Sequence, residues 1–174
     1  EILYMASDDS GINLGLFQKH DEEISKGLFD SSTHKYSGSL IPPEDSKFTS
    51  KENLFNYQAK IIKDLAEKES CIIVGRCADF ILKDYDNVIK VFIWAPHDVC
   101  VKTVMDMFGM SEKDADKKIR KINKHRSEHY HYYTCREWDN ARNYDLCLNS
   151  AELGFNGCVE AIKAYINVLE NVEK

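Results

Sequence analysis

Arginine is rare in this sequence and is confined to two places. Only five of the 23 basic residues are arginines, and one of them, Arg76, directly follows the apolar stretch CIIVG at 71–75. An arginine side chain is planar, always charged and able to donate two hydrogen bonds at once to a phosphate. The distribution therefore predicts an anion-binding site, although chance clustering on an exposed helix is the alternative. The other four arginines are Arg120, Arg126, Arg136 and Arg142.

A strongly basic segment runs from Lys113 to Arg126 and carries seven basic residues against two aspartates, in a chain of net charge −6. On a helix, Arg120 and Lys124 are four residues apart and share a face. Such a face could cover a polyphosphate and neutralise the charge that develops on a transferred phosphoryl group. The alternative is an ordinary solvated helix.

The sequence HRSEH at 125–129 also matches the H-x-x-E-H pattern of the inverted zinc peptidases. On a helix it would place two imidazoles on one face, with Glu128 beside them. The basic surroundings repel a divalent cation, and so short a pattern arises readily by chance. We therefore predict no metal site here.

Three short apolar stretches alternate with helical patterns and predict a parallel sheet covered by helices on both faces. Ligands of such sheets bind beyond the carboxyl ends of the strands. Gly75 and Arg76 lie at such an end, where glycine permits a tight turn and the guanidinium can project towards an anion. Arg76 could instead only pair with a neighbouring carboxylate, such as that of Asp79. The predicted strands are 71–75, 87–95 and 144–150.

Helix ends and one long connection are also marked in the sequence. Gly11 and Gly109 are expected to end helices, because glycine readily adopts the left-handed conformation of a C-cap. Capping-box patterns are expected to begin helices at Thr49 and Ser111. Residues 30–50 are rich in serine, glycine and proline, and they predict a loop of the length that is usually functional in a compact domain.

The composition, with 43% hydrophobic and 30% charged residues, predicts a single α/β domain over residues 1–174. No apolar run is long enough to span a membrane and no signal sequence opens the chain, so a cytoplasmic protein is expected. The negative net charge disfavours nucleic acid and anionic membranes as partners. The six cysteines form no C-x-x-C pair, and we expect reduced thiols that lie largely in the core.

Several motifs together resemble the cytidylate kinase-like family, a branch of the nucleoside monophosphate kinases. The resemblance implies a P-loop NTPase-like fold with an acceptor-binding insert at 10–50 and a basic helical lid at 111–142. It also implies that ATP and Mg²⁺ are bound mainly by a glycine-rich loop, which is expected to precede Glu1. The motifs are CIIVGRCADFIL at 71–82, VFIWAP at 91–96, KINKHRSEHYHYYT at 121–134 and NYDLCLNS at 143–150.

The resemblance further implies roles for individual residues. Arg76 would hold the acceptor phosphate, and Arg126, assisted by Arg120, would stabilise charge on the transferred group. Asp79, Lys124 and Arg136 complete the substrate-binding candidates, and the backbone at Asn149 and Ser150 would approach the donor base.

The chain departs from true cytidylate kinases near the acceptor base. Val74 and Cys77 stand where those enzymes have acidic residues, and Asn123 replaces a lid aspartate. The expected activity is ATP-dependent phosphoryl transfer to a small acceptor, most simply a nucleoside monophosphate such as CMP. The alternatives are a non-catalytic nucleotide-binding or regulatory module on the same fold, and a kinase for a non-nucleotide acceptor.

Overall fold

The computed structural model describes residues 1–23 and 36–172, which form seven α-helices, one 3₁₀ turn and two short strands. The chain divides into two compact units: unit 1 comprises Glu1–Val88 and Lys124–Trp138, and unit 2 comprises Ile89–Asn123 and Asp139–Lys174. In chain order the elements are α1 (Ile2–Ser10), α2 (Leu14–Glu23), α3 (Lys51–Lys68), α4 (Ala78–Ile81), β1 (Val91–Trp94), α5 (His97–Phe108), α6 (Glu112–Thr134), the 3₁₀ turn (Ala141–Asn143), β2 (Leu146–Asn149) and α7 (Ser150–Asn171).

Helix α3 is the central element of unit 1, and every residue from Asn53 to Ala59 is buried. One side of the helix packs on α1 and α2, where Phe17 and Leu54 belong to one apolar cluster. Another side packs on α4 and the end of α6, where Phe55 stacks on Tyr133 with ring centroids 3.7 Å apart. Because apolar neighbours enclose α3 on several sides, its polar side chains must find partners inside the protein.

The start of α3 differs by one residue from the predicted capping box. Ser50, rather than Thr49, is the N-cap, and its hydroxyl accepts a hydrogen bond from the Asn53 N–H at 3.3 Å. Lys51 is the first helical residue, so the residue directly before it occupies the cap position. With Ser50 as the cap, the third helical position is Asn53 rather than Glu52. Glu52 accepts a hydrogen bond from the Tyr132 hydroxyl at 3.2 Å.

Two buried asparagines of α3 hold the loop that precedes it. Asn53 donates to the carbonyls of Ile41 and Phe48 at 3.1 and 2.7 Å and accepts from the Ile41 N–H at 2.8 Å. Asn56 donates to the Ser39 carbonyl at 2.7 Å. The predicted loop is thus confirmed over 36–50, where it is fixed on α3 by side-chain amides, and its residues 30–35 lie outside the described part of the chain.

Unit 2 contains a two-stranded parallel sheet, in which Val91 pairs with Leu146 and Trp94 pairs with Asn149. The prediction of an α/β protein with a parallel sheet is therefore confirmed as a helix-rich α/β structure. Two of the three predicted strands form, although each is only four residues long. Helices on both faces are not seen among the described residues, since Ile93 and Trp94 are 50% and 44% exposed. Two strands do not establish a P-loop NTPase-like sheet.

The predicted strand at 71–75 is wrong for the described structure. Residues 70–74 have no regular secondary structure, and Ile72 and Val74 are 94% and 87% exposed. An apolar, β-branched sequence becomes a strand only when a neighbouring strand accepts and donates its backbone hydrogen bonds. No described segment supplies that neighbour to residues 70–74, so the local pattern is not sufficient.

The predicted helix ends agree with the structure. Gly11 and Gly109 end α1 and α5 in the left-handed conformation, with φ of 71° and 62°. Ser111 accepts a hydrogen bond from the Asp114 N–H at 3.2 Å at the start of α6. No helix of the described residues is long and apolar enough to cross a membrane.

The cysteines are all free thiols, as expected, but most of them lie outside the core. Cys77 and Cys158 are buried, whereas Cys71, Cys135 and Cys147 are exposed. Cysteine was expected inside because it packs as a small apolar residue. Cys71 lies in the segment that does not form a strand, so no sheet buries it. Cys147 lies on β2, and its side chain is exposed to solvent.

We predict that Asn53→Ala lowers the free energy of unfolding by about 2 kcal/mol, because it removes three hydrogen bonds and leaves loop backbone groups without protein partners. Chemical denaturation measures this change, and limited proteolysis should show faster cleavage between residues 36 and 50. Asn87→Ala, at an exposed position, is the control. An equal stability for both variants would contradict the role of Asn53.

Candidate functional site

The turn that carries Arg76 has an unusual backbone. Gly75, Arg76 and Cys77 are consecutive left-handed residues, with φ of 74°, 59° and 54°. For residues other than glycine this conformation costs roughly 1–2 kcal/mol each. The buried Cys77 side chain packs in the core and the Ala78 N–H closes the turn on the Gly75 carbonyl at 3.1 Å. Strain of this kind, held in place by surrounding packing, is concentrated at functional sites.

Arg76 points from this turn towards helix α3. Its Nη1 donates a hydrogen bond to Oε1 of Gln58 at 3.0 Å, and its side chain is half-buried. Gln58 is only 2% exposed, so its amide oxygen meets the guanidinium inside unit 1. The sequence prediction placed an arginine at an anion site, and the structure adds the group that orients it.

Asp79, three residues after Arg76, is a half-buried carboxylate with a tyrosine partner. The Tyr130 hydroxyl of α6 donates a hydrogen bond to Oδ2 of Asp79 at 2.6 Å. Burial raises the pKa of Asp79, and the hydrogen bond from Tyr130 opposes that rise only in part. A carboxylate that is kept in spite of its burial cost is a functional-site candidate.

Arg136 completes this group of side chains in unit 1. Its guanidinium lies over the Phe80 ring, 5.0 Å from the centroid, and its positive charge lowers the pKa of Asp79. Arg136 is exposed. The structure thus brings Arg76, Asp79 and Arg136 into one region of unit 1.

The basic part of α6 within unit 1 presents Lys124 and Arg126 to solvent. Lys124 forms an ion pair with Glu128 at 3.6 Å, and the Arg126 guanidinium lies 5.9 Å from the centre of the Trp138 ring. In contrast, Tyr130 and Tyr133 further along the helix are buried in the unit 1 core. The predicted lid at 111–142 therefore includes core residues at Tyr130 and Tyr133, while its Arg126 is on the surface.

The remaining predicted residues lie in unit 2. Nε of exposed Arg120 contacts both carboxylate oxygens of Asp116 at 3.0 Å, and these hydrogen bonds hold the pKa of Asp116 below its usual range. Asn149 caps α7 by accepting from the Ala151 N–H at 3.0 Å. Ser150 donates its hydroxyl to the Trp94 carbonyl at 3.1 Å. Both side chains at the end of β2 thus have protein partners.

Cys77 lies beside a buried histidine of α6. Burial raises the pKa of the Cys77 thiol, with Asp79 adding to the effect, so the thiol stays protonated. Its Sγ lies 3.6 Å from Nδ1 of the buried His129. Within residues 1–23 and 36–172, no three His, Cys, Asp or Glu side chains are grouped to hold a metal ion.

Sequence reasoning missed Gln58 and Tyr130, the two buried partners of the predicted site. Gln58 is a long polar residue in a part of α3 that is buried throughout. A long polar side chain at such a position is a signal, because it needs an internal partner. Tyr130 gives no comparable signal, since tyrosines on this helix also serve as core residues.

A parallel strand pair with its helices, and an arginine held on a strained turn, define a helix-rich α/β protein with an anion-binding candidate site. The chain belongs to the cytidylate kinase-like family, whose sequence model matches residues 1–152. This membership indicates a kinase-like, nucleotide-related role.

Among solved structures, the chain is similar to an uncharacterized protein from Eubacterium ventriosum whose crystal structure is known. The two share 30% sequence identity with a TM-score of 0.65, over 85% of this chain and 80% of the other. No curated protein matches the chain.

We predict that Asp79→Asn raises the free energy of unfolding at pH 7. Burial raises the folded-state pKa of Asp79. The protonated side chain therefore contributes its full stability to the fold below the unfolded-state pKa, and this contribution is lost as the pH rises through the folded-state pKa. The neutral amide avoids that loss and can still accept from Tyr130. The gain should shrink to nothing as the pH falls below the ordinary range of an aspartate.

Denaturation curves over a pH series measure this difference, and Asp86→Asn, at an exposed position in the same unit, is the control. A gain that is independent of pH, or no gain at pH 7, would show that burial does not penalise the Asp79 carboxylate.

Proposed function

We propose that the protein transfers the γ-phosphoryl group of ATP to a small acceptor, and that this acceptor is a nucleoside monophosphate such as CMP. The observation that carries the proposal is Arg76, a half-buried arginine on a strained turn that Gln58 holds in place. Membership of the cytidylate kinase-like family supports the same class of reaction.

The acceptor end of the site is assigned to unit 1. Arg76 suits a monophosphate, because its guanidinium can donate two parallel hydrogen bonds to phosphate oxygens. Arg136 adds a second positive charge in the same region, near Asp79. The carboxylate of Asp79 can accept hydrogen bonds from hydroxyl or amino groups of the acceptor. A site with two cations and one acceptor of hydrogen bonds fits a phosphorylated, polar small molecule.

The transfer step is assigned to the basic residues of α6. An acceptor phosphate oxygen attacks the γ-phosphorus, the bond to the β–γ bridging oxygen breaks, and ADP leaves with that oxygen. Such a reaction needs alignment and charge neutralisation rather than a covalent intermediate. Arg126 stabilises the charge on the transferred group, and Lys124 assists it. For Arg120, which belongs to unit 2, the assisting role is proposed from the family membership alone. Their exposure in the structure is consistent with groups that meet a ligand from solvent.

ATP and Mg²⁺ are part of this proposal. The backbone at Asn149 and Ser150, in unit 2, is assigned to the donor base from the family membership. Mg²⁺ supplies positive charge to the phosphates when it is bound. The described residues bring no three metal ligands together, so we assign no residue to the ion.

We predict that Arg126→Ala lowers kcat about 100-fold or more, as expected when a donor to the transition-state charge is lost. Its effect on the free energy of unfolding should be only about 0.5–1 kcal/mol, because the contact with Trp138 is an exposed cation–π pair. Formation of ADP with CMP as acceptor measures turnover in the full-length protein, and Arg142→Ala is the matched control. Unchanged turnover would remove Arg126 from the transfer step.

A panel of acceptors distinguishes the proposal from its alternatives. Turnover with CMP or another nucleoside monophosphate supports it, whereas turnover only with non-nucleotide acceptors identifies a different kinase. Binding of a monophosphate without ADP formation, in a protein that also binds ATP, would indicate a non-catalytic nucleotide-binding module. The replacement of acidic residues by Val74 and Cys77 makes a relaxed preference for the base the expected outcome.

A further inference from the structure

We infer that Gln58 is a positioning residue for Arg76, acting as a neutral anchor that orients the guanidinium towards the acceptor phosphate without itself cancelling the charge. The inference rests on the proposed function for the identity of the acceptor. Its structural part, that Gln58 fixes Arg76, can be tested separately.

Gln58 is a buried polar residue, and its amide therefore needs a hydrogen-bond partner inside the protein. The side chain is 2% exposed, in the part of α3 where all residues from Asn53 to Ala59 are buried. A buried amide costs free energy unless it is hydrogen-bonded, whereas an apolar side chain of similar length would pack there at no such cost. The amide oxygen of Gln58 accepts from Nη1 of Arg76 at 3.0 Å, which offsets that cost.

Arg76 needs an anchor because of the length of its side chain. An arginine has many rotamers, and a ligand that orders it must offset the entropy that the side chain loses. A hydrogen bond to a rigid helix orders the guanidinium before the ligand arrives. The left-handed turn at Gly75–Cys77 fixes the other end of the side chain, so Arg76 is held both at its backbone and at its head group.

The choice of glutamine over glutamate also fits an anion site. A carboxylate at position 58 would hold the guanidinium more strongly, but it would form an ion pair with it and compete with the phosphate. The carboxamide accepts the same hydrogen bond and carries no net charge. The positive charge of Arg76 is thus not reduced by this partner.

Two substitutions separate orientation from charge. Gln58→Met keeps the length of the side chain and removes the acceptor, so Arg76 should become more mobile and the KM for CMP should rise about tenfold. Gln58→Glu keeps Arg76 ordered but should also raise the KM for CMP, because it neutralises the guanidinium. In both variants kcat should stay within about twofold of the wild type, since the transfer step is assigned to α6.

The order of Arg76 is measured by NMR relaxation of its Nε–H signal. The protein has only five arginines, and the Arg76 signal is identified by its loss in the Arg76→Lys variant. Leu54→Met, a buried substitution elsewhere on α3, is the control for general effects on the core. Unchanged order of Arg76 in Gln58→Met would overturn the anchoring role. Reduced order with an unchanged KM would overturn its link to the acceptor.

The two proposals fail in distinguishable ways. If the wild-type protein phosphorylates no nucleoside monophosphate, the proposed function is wrong, while the NMR comparison still decides whether Gln58 fixes Arg76. In that case calorimetric titration with inorganic phosphate replaces the KM. A weaker affinity in both Gln58 variants than in Leu54→Met supports the neutral anchor, and equal affinities in all three overturn it.

Discussion

The burial of α3 on several sides is the constraint on which the rest of unit 1 depends. A helix in the middle of a unit has no solvent to satisfy its polar side chains, so each amide determines the position of the group that it binds. Asn53 and Asn56 fix the preceding loop, and Gln58 fixes Arg76. The packing of one helix therefore sets the geometry of a loop and of a candidate anion site together.

The region from Gly75 to Asp79 shows stability given up for a particular geometry. Two non-glycine residues adopt the left-handed conformation, and the carboxylate of Asp79 is half-buried, which raises its pKa. Either feature would be easy to replace by a more stable one, such as glycine in the turn or asparagine at position 79. Their presence side by side, next to an oriented arginine, is the physical reason for placing the site here.

The sequence predicted helix ends correctly at positions where the backbone conformation depends only on residues close by in the chain. Gly11 and Gly109 end helices as expected, and Ser111 caps α6. The strand prediction for 71–75 was wrong because a strand needs a neighbouring strand to pair with, and the residues of the segment itself do not show whether one is present. The charged residues of the site could be predicted, because the rarity and the positions of arginine can be read from the sequence. The role of Gln58 could not, because it depends on a contact with a residue 18 positions away.

The buried Cys77 has a consequence for how the site withstands oxidation. Reactivity towards peroxide or alkylating reagents requires an accessible thiolate, and this thiol is both enclosed and kept protonated. The exposed Cys71, Cys135 and Cys147 offer reagents more accessible sulfur atoms. Cys77 is therefore unreactive, so oxidation of the surface thiols leaves the covalent structure of the strained turn unchanged.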